Sequence, residues 1–157
     1  MSHWELFAGW RRDDTVLLPA LRPLVTYKEG RATGWLYLPE GPPPTPWPGL
    51  FTTLGPRLLA DLETTTGIRF TAVAYQAYLD GTGCGWHHDR GWDIQAILSL
   101  GVTRSLGLRN DDGQLLVPLV HGDLLLMPSG FQDHWEHCVP EEPVTGERCS
   151  LVFRTRK

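Results

Sequence analysis

Residues 70–79 read FTAVAYQAYL, and the glycine-rich stretch DGTGCGW follows at residues 80–86. Short runs rich in apolar and β-branched residues come after it: DIQAILSLG, RSLGLRN, QLLVPLV, HGDLLLMP, HWEHCV and RCSLVFRTR. Runs of this length, separated by turn signals such as DDG, are typical of β-sandwiches and barrels. Residues 68–157 are therefore predicted to form the core of the fold, with seven or eight strands.

One helix is predicted upstream of these strands, over residues 54–67, LGPRLLADLETTTG. Pro56 suits a first helical turn, Leu58, Leu59 and Leu62 fall on one face, and Gly67 ends the pattern. The fold class is therefore mainly β with a small helical part, an α+β arrangement.

Residues 1–67 are predicted to be a cap of helix and loop. A weaker helix candidate, DDTVLLPALRPLV, is interrupted by Pro19 and Pro23. Residues 35–49, WLYLPEGPPPTPWPG, are aromatic and proline-rich, which predicts a stiff extended loop. This loop is longer than most connections in compact domains, and long loops are often functional. It is therefore a candidate functional segment.

The composition is that of a globular protein with a single domain over residues 1–157: 41% of the residues are hydrophobic and 20% are charged. No apolar run reaches the roughly 18 residues that span a bilayer, so no membrane association is expected. Cys84, Cys138 and Cys149 suggest neither a disulfide framework nor a cysteine metal site, which favours the cytoplasm. The net charge of −4 argues against a basic coat for nucleic acid but allows an enzyme that holds one nucleotide. A monomer is expected.

The segment GWHHDRGWD at residues 85–93 places two histidines before an aspartate. Because side chains alternate along a strand, His87 and Asp89 are predicted to share a face while His88 points away. A third metal ligand could come from His121 or from either histidine of DHWEHC. Two histidines and one carboxylate on one face of a metal form the non-heme Fe(II) oxygenase site. By itself His-x-Asp is a weak signal that also occurs in solvated turns.

The C-terminal segment ERCSLVFRTRK carries Arg148 and Arg154 at an even spacing, which places them on one face of a strand. Their backbones would lie about 20 Å apart, so two inward-leaning guanidinium groups leave room for a short dicarboxylate. Alone, such a pair is more often a solvated strand face. Next to an iron site, it favours a 2-oxoglutarate clamp.

The segments AYLDGTGCGWHHD, HGDLLLM, HWEHCVP and RCSLVFR together resemble the AlkB family of Fe(II)/2-oxoglutarate dioxygenases, over residues 35–154. The resemblance implies a double-stranded β-helix, or jelly-roll, core. It also implies that His87, Asp89 and His137 hold Fe(II), and that His134 is a neighbour of the metal and not a ligand.

The same resemblance implies that Tyr78 and Arg148 bind the distal carboxylate of 2-oxoglutarate, with Arg154 near the end that chelates iron. Gln76 and Ser150 stand where the family usually has asparagine. Both residue types keep hydrogen-bonding capacity, so an altered affinity for the cosubstrate is expected, and not a loss of binding.

The resemblance further implies that the protein uses O2 to demethylate an alkylated nucleobase in DNA or RNA, as in repair of alkylation damage. The expected partner is nucleic acid, presenting a base that is single-stranded or flipped from a duplex. Trp35 and Tyr37 lie where the family's base-covering lid begins. An equally weighted alternative is that these aromatic side chains simply pack against the barrel.

Two departures from the family keep other functions open. Gly91 stands where better-known members have an acidic residue that contacts the base, and the lid is short. These features favour a 2-oxoglutarate-dependent hydroxylase of a protein, a lipid, a free nucleotide or another small molecule. A third hypothesis is a sensor that binds metal or 2-oxoglutarate without turnover, and it is the weakest because all ligand positions and both arginines are present.

Overall fold

The computed structural model describes residues 3–157. Its helices are α1 (Leu17–Leu21), α2 (Phe51–Thr66) and α3 (Phe131–His134), with a 3-10 turn at Arg22–Leu24. Its strands are β1 (Glu5–Phe7), β2 (Arg31–Tyr37), β3 (Ala72–Leu79), β4 (Cys84–His87), β5 (Trp92–Gly101), β6 (Arg104–Asn110), β7 (Gly113–Leu119), β8 (Leu124–Met127), β9 (Glu136–Val139) and β10 (Glu147–Arg156). Within residues 3–157, no helix combines the length and the apolar character needed to cross a bilayer.

The strands form two antiparallel sheets that pack face to face. The major sheet has the order β1-β8-β5-β10-β3-β2, and the minor sheet has the order β4-β9-β6-β7. Side chains of both sheets meet in one apolar cluster, including Ile97 and Val152 of the major sheet and Leu108 and Leu119 of the minor sheet. This arrangement confirms the predicted mainly β, jelly-roll fold, and eight strands follow α2.

Helix α2 covers the outer face of the major sheet. Phe51, Gly55, Leu58 and Leu62 form its buried face at helical spacing, and the helix ends at Gly67, whose φ of 74° is left-handed. The helix begins at Phe51, three residues before the predicted start. The residues that precede Pro56 thus already turn, and the proline lies inside the helix.

The prediction for the N-terminal part was incomplete, because two strands lie in the region expected to be helix and loop. Strand β1 pairs with β8, and β2 pairs with β3, so both extend the major sheet. The first residues of the predicted extended loop, Trp35 to Tyr37, are the end of β2. The alternation of apolar and polar residues is weak over residues 31–37, so the sequence alone does not indicate a strand there. Hydrogen bonds to β3 define β2 as a strand.

Candidate metal and dicarboxylate site

Three potential metal ligands converge between the two sheets. His87 ends β4 and is the direct cross-strand partner of His137 in β9. Asp89 follows two residues after His87, and the ligand atoms of the three residues all lie within 4.8 Å of one another. The distance from Asp89 Oδ2 to His137 Nε2 is 3.1 Å, and that from Asp89 Oδ1 to His87 Nε2 is 3.9 Å.

The local backbone differs from the predicted continuous strand. Strand β4 ends at His87, and Asp89 lies in the connection to β5. Its position is fixed by tertiary hydrogen bonds: the Asp89 N–H donates to Gln132 Oε1 at 2.9 Å, and Gln95 Nε2 donates to Asp89 Oδ2 at 3.1 Å. The His-x-Asp spacing brings the two side chains together, but strand alternation is not the reason.

The other histidines named in the sequence lie outside this group. His88 Nδ1 is 2.7 Å from a backbone carbonyl of α3. Its ring therefore points away from His87, Asp89 and His137, which are called the metal group below, as predicted. His121 joins two loops, because its Nδ1 accepts the Gly101 N–H at 3.0 Å and its Nε2 lies 2.8 Å from the Asp14 carbonyl. His134 is the last residue of α3.

The protonation states of the group suit metal binding. Burial acts to raise the pKa of Asp89, but hydrogen bonds from His137 and Gln95 and the charge of Arg154 outweigh it and hold this pKa well below its usual range. Burial lowers the pKa of His137, against the opposing effect of the Asp89 hydrogen bond. A carboxylate and a neutral imidazole are the forms that coordinate divalent metals.

One narrow cavity joins the metal group to the five residues assigned to the cosubstrate. It is lined by His87, Asp89, His137, Gln76, Tyr78, Arg148, Ser150, Arg154 and five others. Strand β10 runs through the middle of the major sheet, between β5 and β3, and it is buried on both faces. Arg148 and Arg154 therefore face the interior of the jelly-roll, 1% and 7% exposed respectively.

The two buried arginines have few protein partners. Arg148 Nε donates to Ser99 Oγ at 3.0 Å, and Arg148 Nη2 has no hydrogen-bond partner among the described residues. Arg154 Nε donates to Gln95 Oε1 at 2.9 Å, and its Nη2 lies 3.9 Å from Asp89 Oδ2. A buried donor without a partner is costly, so an anion in this cavity would supply the missing acceptor. Arg148 thus offers a buried cationic donor for one carboxylate of a ligand.

Burial lowers the pKa of Arg148 to about 10, with the nearby Arg104 charge acting in the same direction. At neutral pH the guanidinium therefore keeps its charge. A buried positive charge beside an unpaired N–H favours a ligand with a carboxylate.

Sequence reasoning did not assign Gln95 or Ser99, which hold the two arginines. Both lie on β5 opposite β10, in register with Arg154 and Ser150. They are buried, at 1% and 0% exposure. The available signal was a pair of polar residues at an even spacing in the otherwise apolar run DIQAILSLG.

The two aromatic residues predicted to cover a substrate lie in different places. The Trp35 ring is 5.5 Å from the Arg154 guanidinium carbon and 5.6 Å from the Trp92 ring, at the end of the cavity near Asp89. Tyr37 instead stacks on Trp47 at 4.5 Å, and both line a separate cavity. A bulge between Trp35 and Tyr37 shifts the register with β3 at this point.

A jelly-roll that brings two histidines, a carboxylate and two buried arginines to one cavity has the architecture of a non-heme metal oxygenase. The model of the 2OG-Fe(II) oxygenase superfamily matches residues 21–154. The chain belongs to this superfamily, and within it the chain is similar to alkB-type dioxygenases. The superfamily's cofactors are Fe(II) and 2-oxoglutarate.

Individual relatives agree with this assignment. The alpha-ketoglutarate-dependent dioxygenase alkB homolog 3 of Rattus norvegicus is 31% identical over 160 residues, which cover 86% of this chain and 53% of that protein. The DNA oxidative demethylase ALKBH2 of Homo sapiens is 28% identical over 71% of this chain and 48% of its own length. The chain spans about half the length of these curated relatives. The structure of OsALKBH1 has the same fold, with a TM-score of 0.73 over 99% of both chains at 16% identity.

Proposed function

We propose that this chain is an Fe(II)- and 2-oxoglutarate-dependent oxidative demethylase of alkylated nucleobases in DNA or RNA. The observation that carries the proposal is the shared cavity, which is lined by a compact His-Asp-His group and by Arg148, whose Nη2 lacks an acceptor among residues 3–157. Relatives named as an alkB-type dioxygenase and as a DNA oxidative demethylase support the nucleobase as the target.

In this proposal His87, Asp89 and His137 hold Fe(II). Arg148 and Tyr78 take the distal carboxylate of 2-oxoglutarate, with Gln76 and Ser150 beside it, and Arg154 lies near the metal end. Bound iron and 2-oxoglutarate supply the power to oxidise an unactivated C–H bond with O2, and oxidation of an N-methyl group ends in loss of formaldehyde. The contribution of the protein is to orient both reactants and to exclude water.

The protein's hydrogen bonds fix the orientation of the proposed ligands. Gln95 contacts both Asp89 and Arg154, since its amide N–H donates to the carboxylate and its carbonyl accepts from the guanidinium. Gln95 thereby couples the position of a metal ligand to that of a cosubstrate residue. On the substrate side, the proposal assigns stacking of a methylated base to Trp35, whose ring packs against the Arg154 guanidinium.

A panel of methylated and unmethylated oligonucleotides, single- and double-stranded, tests this proposal. With Fe(II), 2-oxoglutarate and O2 present, we expect a mass loss of one methylene unit and one formaldehyde per turnover. The matched control is His137→Ala, which should remove both signals. Succinate formation that no oligonucleotide stimulates would refute the nucleobase as the target, while absence of 2-oxoglutarate binding would refute the cofactor assignment as well.

A second candidate is a 2-oxoglutarate-dependent hydroxylase of a protein, a lipid, a free nucleotide or another small molecule. The region after Asp89 favours it: Gly91 offers no side chain, and Asp93 is held by Ser129, whose hydroxyl donates to Asp93 Oδ1 at 2.7 Å. A cationic methylated base would thus lack the acidic contact expected there. Stimulation of succinate formation by such compounds, and not by oligonucleotides, would favour this function.

A further inference from the structure

A second cavity of about 540 Å³ adjoins the one that holds the metal group. The two cavities share Gln76 and Tyr78 in their linings. The outer cavity also has Arg31 from β2 and Cys84 from β4 in its wall. Because β2 and β4 are the terminal strands of the two sheets, this cavity marks the open side of the jelly-roll.

Positive charges lead from solvent through this opening to the buried Arg148. Lys28 and Arg31 line the outer cavity, are exposed, and have no ion-pair partner in the described part of the chain. Arg31, Tyr78 and Arg148 are direct neighbours across β2, β3 and β10. The guanidinium carbons of Arg31 and Arg148 each lie 5.8 Å from the Tyr78 ring centroid. Glu29 is the opposing charge in the wall.

Gln76 and Tyr78 separate the two cavities, and only a weak interaction joins their side chains. Tyr78 and Gln76 are joined by one hydrogen bond, from the Tyr78 hydroxyl to Gln76 Oε1, and it is long at 3.4 Å. Rotation of the Gln76 side chain therefore breaks only a weak interaction. At the other end of the inner cavity, Arg154 is flanked by Trp35 and Trp92.

We propose that the outer cavity is the entrance through which 2-oxoglutarate reaches Arg148, and that Lys28 and Arg31 draw the dianion in. The inference rests on the proposed use of 2-oxoglutarate as cosubstrate. It adds an entry route separate from the aromatic end of the cavity, so that cosubstrate and substrate approach from opposite ends. Glu29 repels the dianion, so the rate of entry depends on the charges of Lys28, Glu29 and Arg31 together.

The test is the association rate of 2-oxoglutarate with the anaerobic, Fe(II)-loaded protein, measured by stopped-flow tryptophan fluorescence at several salt concentrations. The variants are Lys28→Gln, Arg31→Gln and Glu29→Gln, and the matched control is Arg57→Gln, an exposed charge on α2. One charge acting on a dianion ~10 Å away in water changes the rate about fourfold at low salt. At physiological salt the change shrinks to about 1.5-fold.

The expected result is a slower association for Lys28→Gln and Arg31→Gln, a faster one for Glu29→Gln, and no change for Arg57→Gln, with dissociation rates unaltered throughout. Equal association rates in all variants would overturn the entrance. So would an Arg31→Gln effect confined to dissociation, because that would make Arg31 a contact of the bound cosubstrate. Wild-type protein that binds no 2-oxoglutarate would overturn the proposed function together with this inference.

Discussion

Replacing Arg148 by methionine should make the ligand-free protein more stable and at the same time weaken its binding of 2-oxoglutarate. Methionine has a similar length and no charge, so it fills the space without an unpaired donor. Arg148 is 1% exposed, has Ser99 as its hydrogen-bond partner, and leaves Nη2 unsatisfied among residues 3–157. A buried charge of this kind is retained at a cost to folding, which its role as a ligand-binding group would explain.

The expected size of the effect follows from the burial of the charge. Burial lowers the pKa of Arg148 from its ordinary value to about 10, which corresponds to about 3 kcal/mol against the charged form. Loss of the hydrogen bond to Ser99 lowers the free energy of unfolding by about 1.5 kcal/mol. We therefore expect the free energy of unfolding to rise by roughly 1–2 kcal/mol, and Tm by roughly 3–6 °C. Removing one partner of a buried ion pair should weaken 2-oxoglutarate binding by at least about 30-fold.

Thermal unfolding with and without 2-oxoglutarate measures both effects in one experiment. Wild-type Tm should rise with added 2-oxoglutarate, whereas the Tm of Arg148→Met should start higher and respond little. Arg104→Met is the matched control, because Arg104 is also fully buried and also leaves one nitrogen, Nη1, unpaired among residues 3–157, but its charge is paired with Glu142 and it donates to three backbone carbonyls. This control should lose about 3 kcal/mol. An Arg148→Met protein that unfolds as readily as the control would refute the argument, because Arg148 would then be structural.

Three other outcomes are expected. Asp89→Asn keeps the shape of the side chain but removes its charge, so the affinity for Fe(II) should fall on the order of 100-fold. Metal analysis after dialysis measures the iron that each protein retains. Full iron retention by Asp89→Asn would contradict the assignment of Asp89 as a ligand. Trp35→Ala should lower turnover on a methylated oligonucleotide about tenfold by removing a stacking surface. Turnover of the control variant Tyr37→Ala should stay within about twofold of wild type, because the Tyr37 ring lies in another cavity. Equal losses in the two variants would show that the two cavities act together. Burial raises the pKa of Cys149 to about 11, so about one thiol in a thousand is ionised at pH 8, and iodoacetamide at that pH should modify the half-exposed Cys84. Modification of Cys149 should appear only as the pH approaches 11, and mass spectrometry of digested protein would detect an earlier reaction.

Local chain properties made several parts of this fold predictable. The strands from β3 onward are short runs with turn residues between them, and α2 has a periodic apolar face that ends at Gly67. The two N-terminal strands were missed, because β1 has only three residues and β2 contains a glycine, and both depend on pairing with distant strands. The bulge after Trp35 likewise has no sequence signal, and it sends Tyr37 to a cavity away from the metal group.

The sequence by itself determined the inventory of the candidate site: the His-x-Asp pair, several later histidines and two arginines at an even spacing on one strand. Strand alternation accounts for the two arginines, which share a face of β10, whereas Asp89 follows the end of β4 and is positioned by Gln132 and Gln95. Only the tertiary structure decided which histidine joins the pair, because His137 reaches His87 through cross-strand pairing of β9 with β4. It also decided that Gln95 and Ser99 hold the arginines while Arg148 Nη2 finds no acceptor in the described chain. The burial of a side chain and its hydrogen-bond partners depend on residues from segments far apart in sequence. They are therefore decided only when the two sheets pack together.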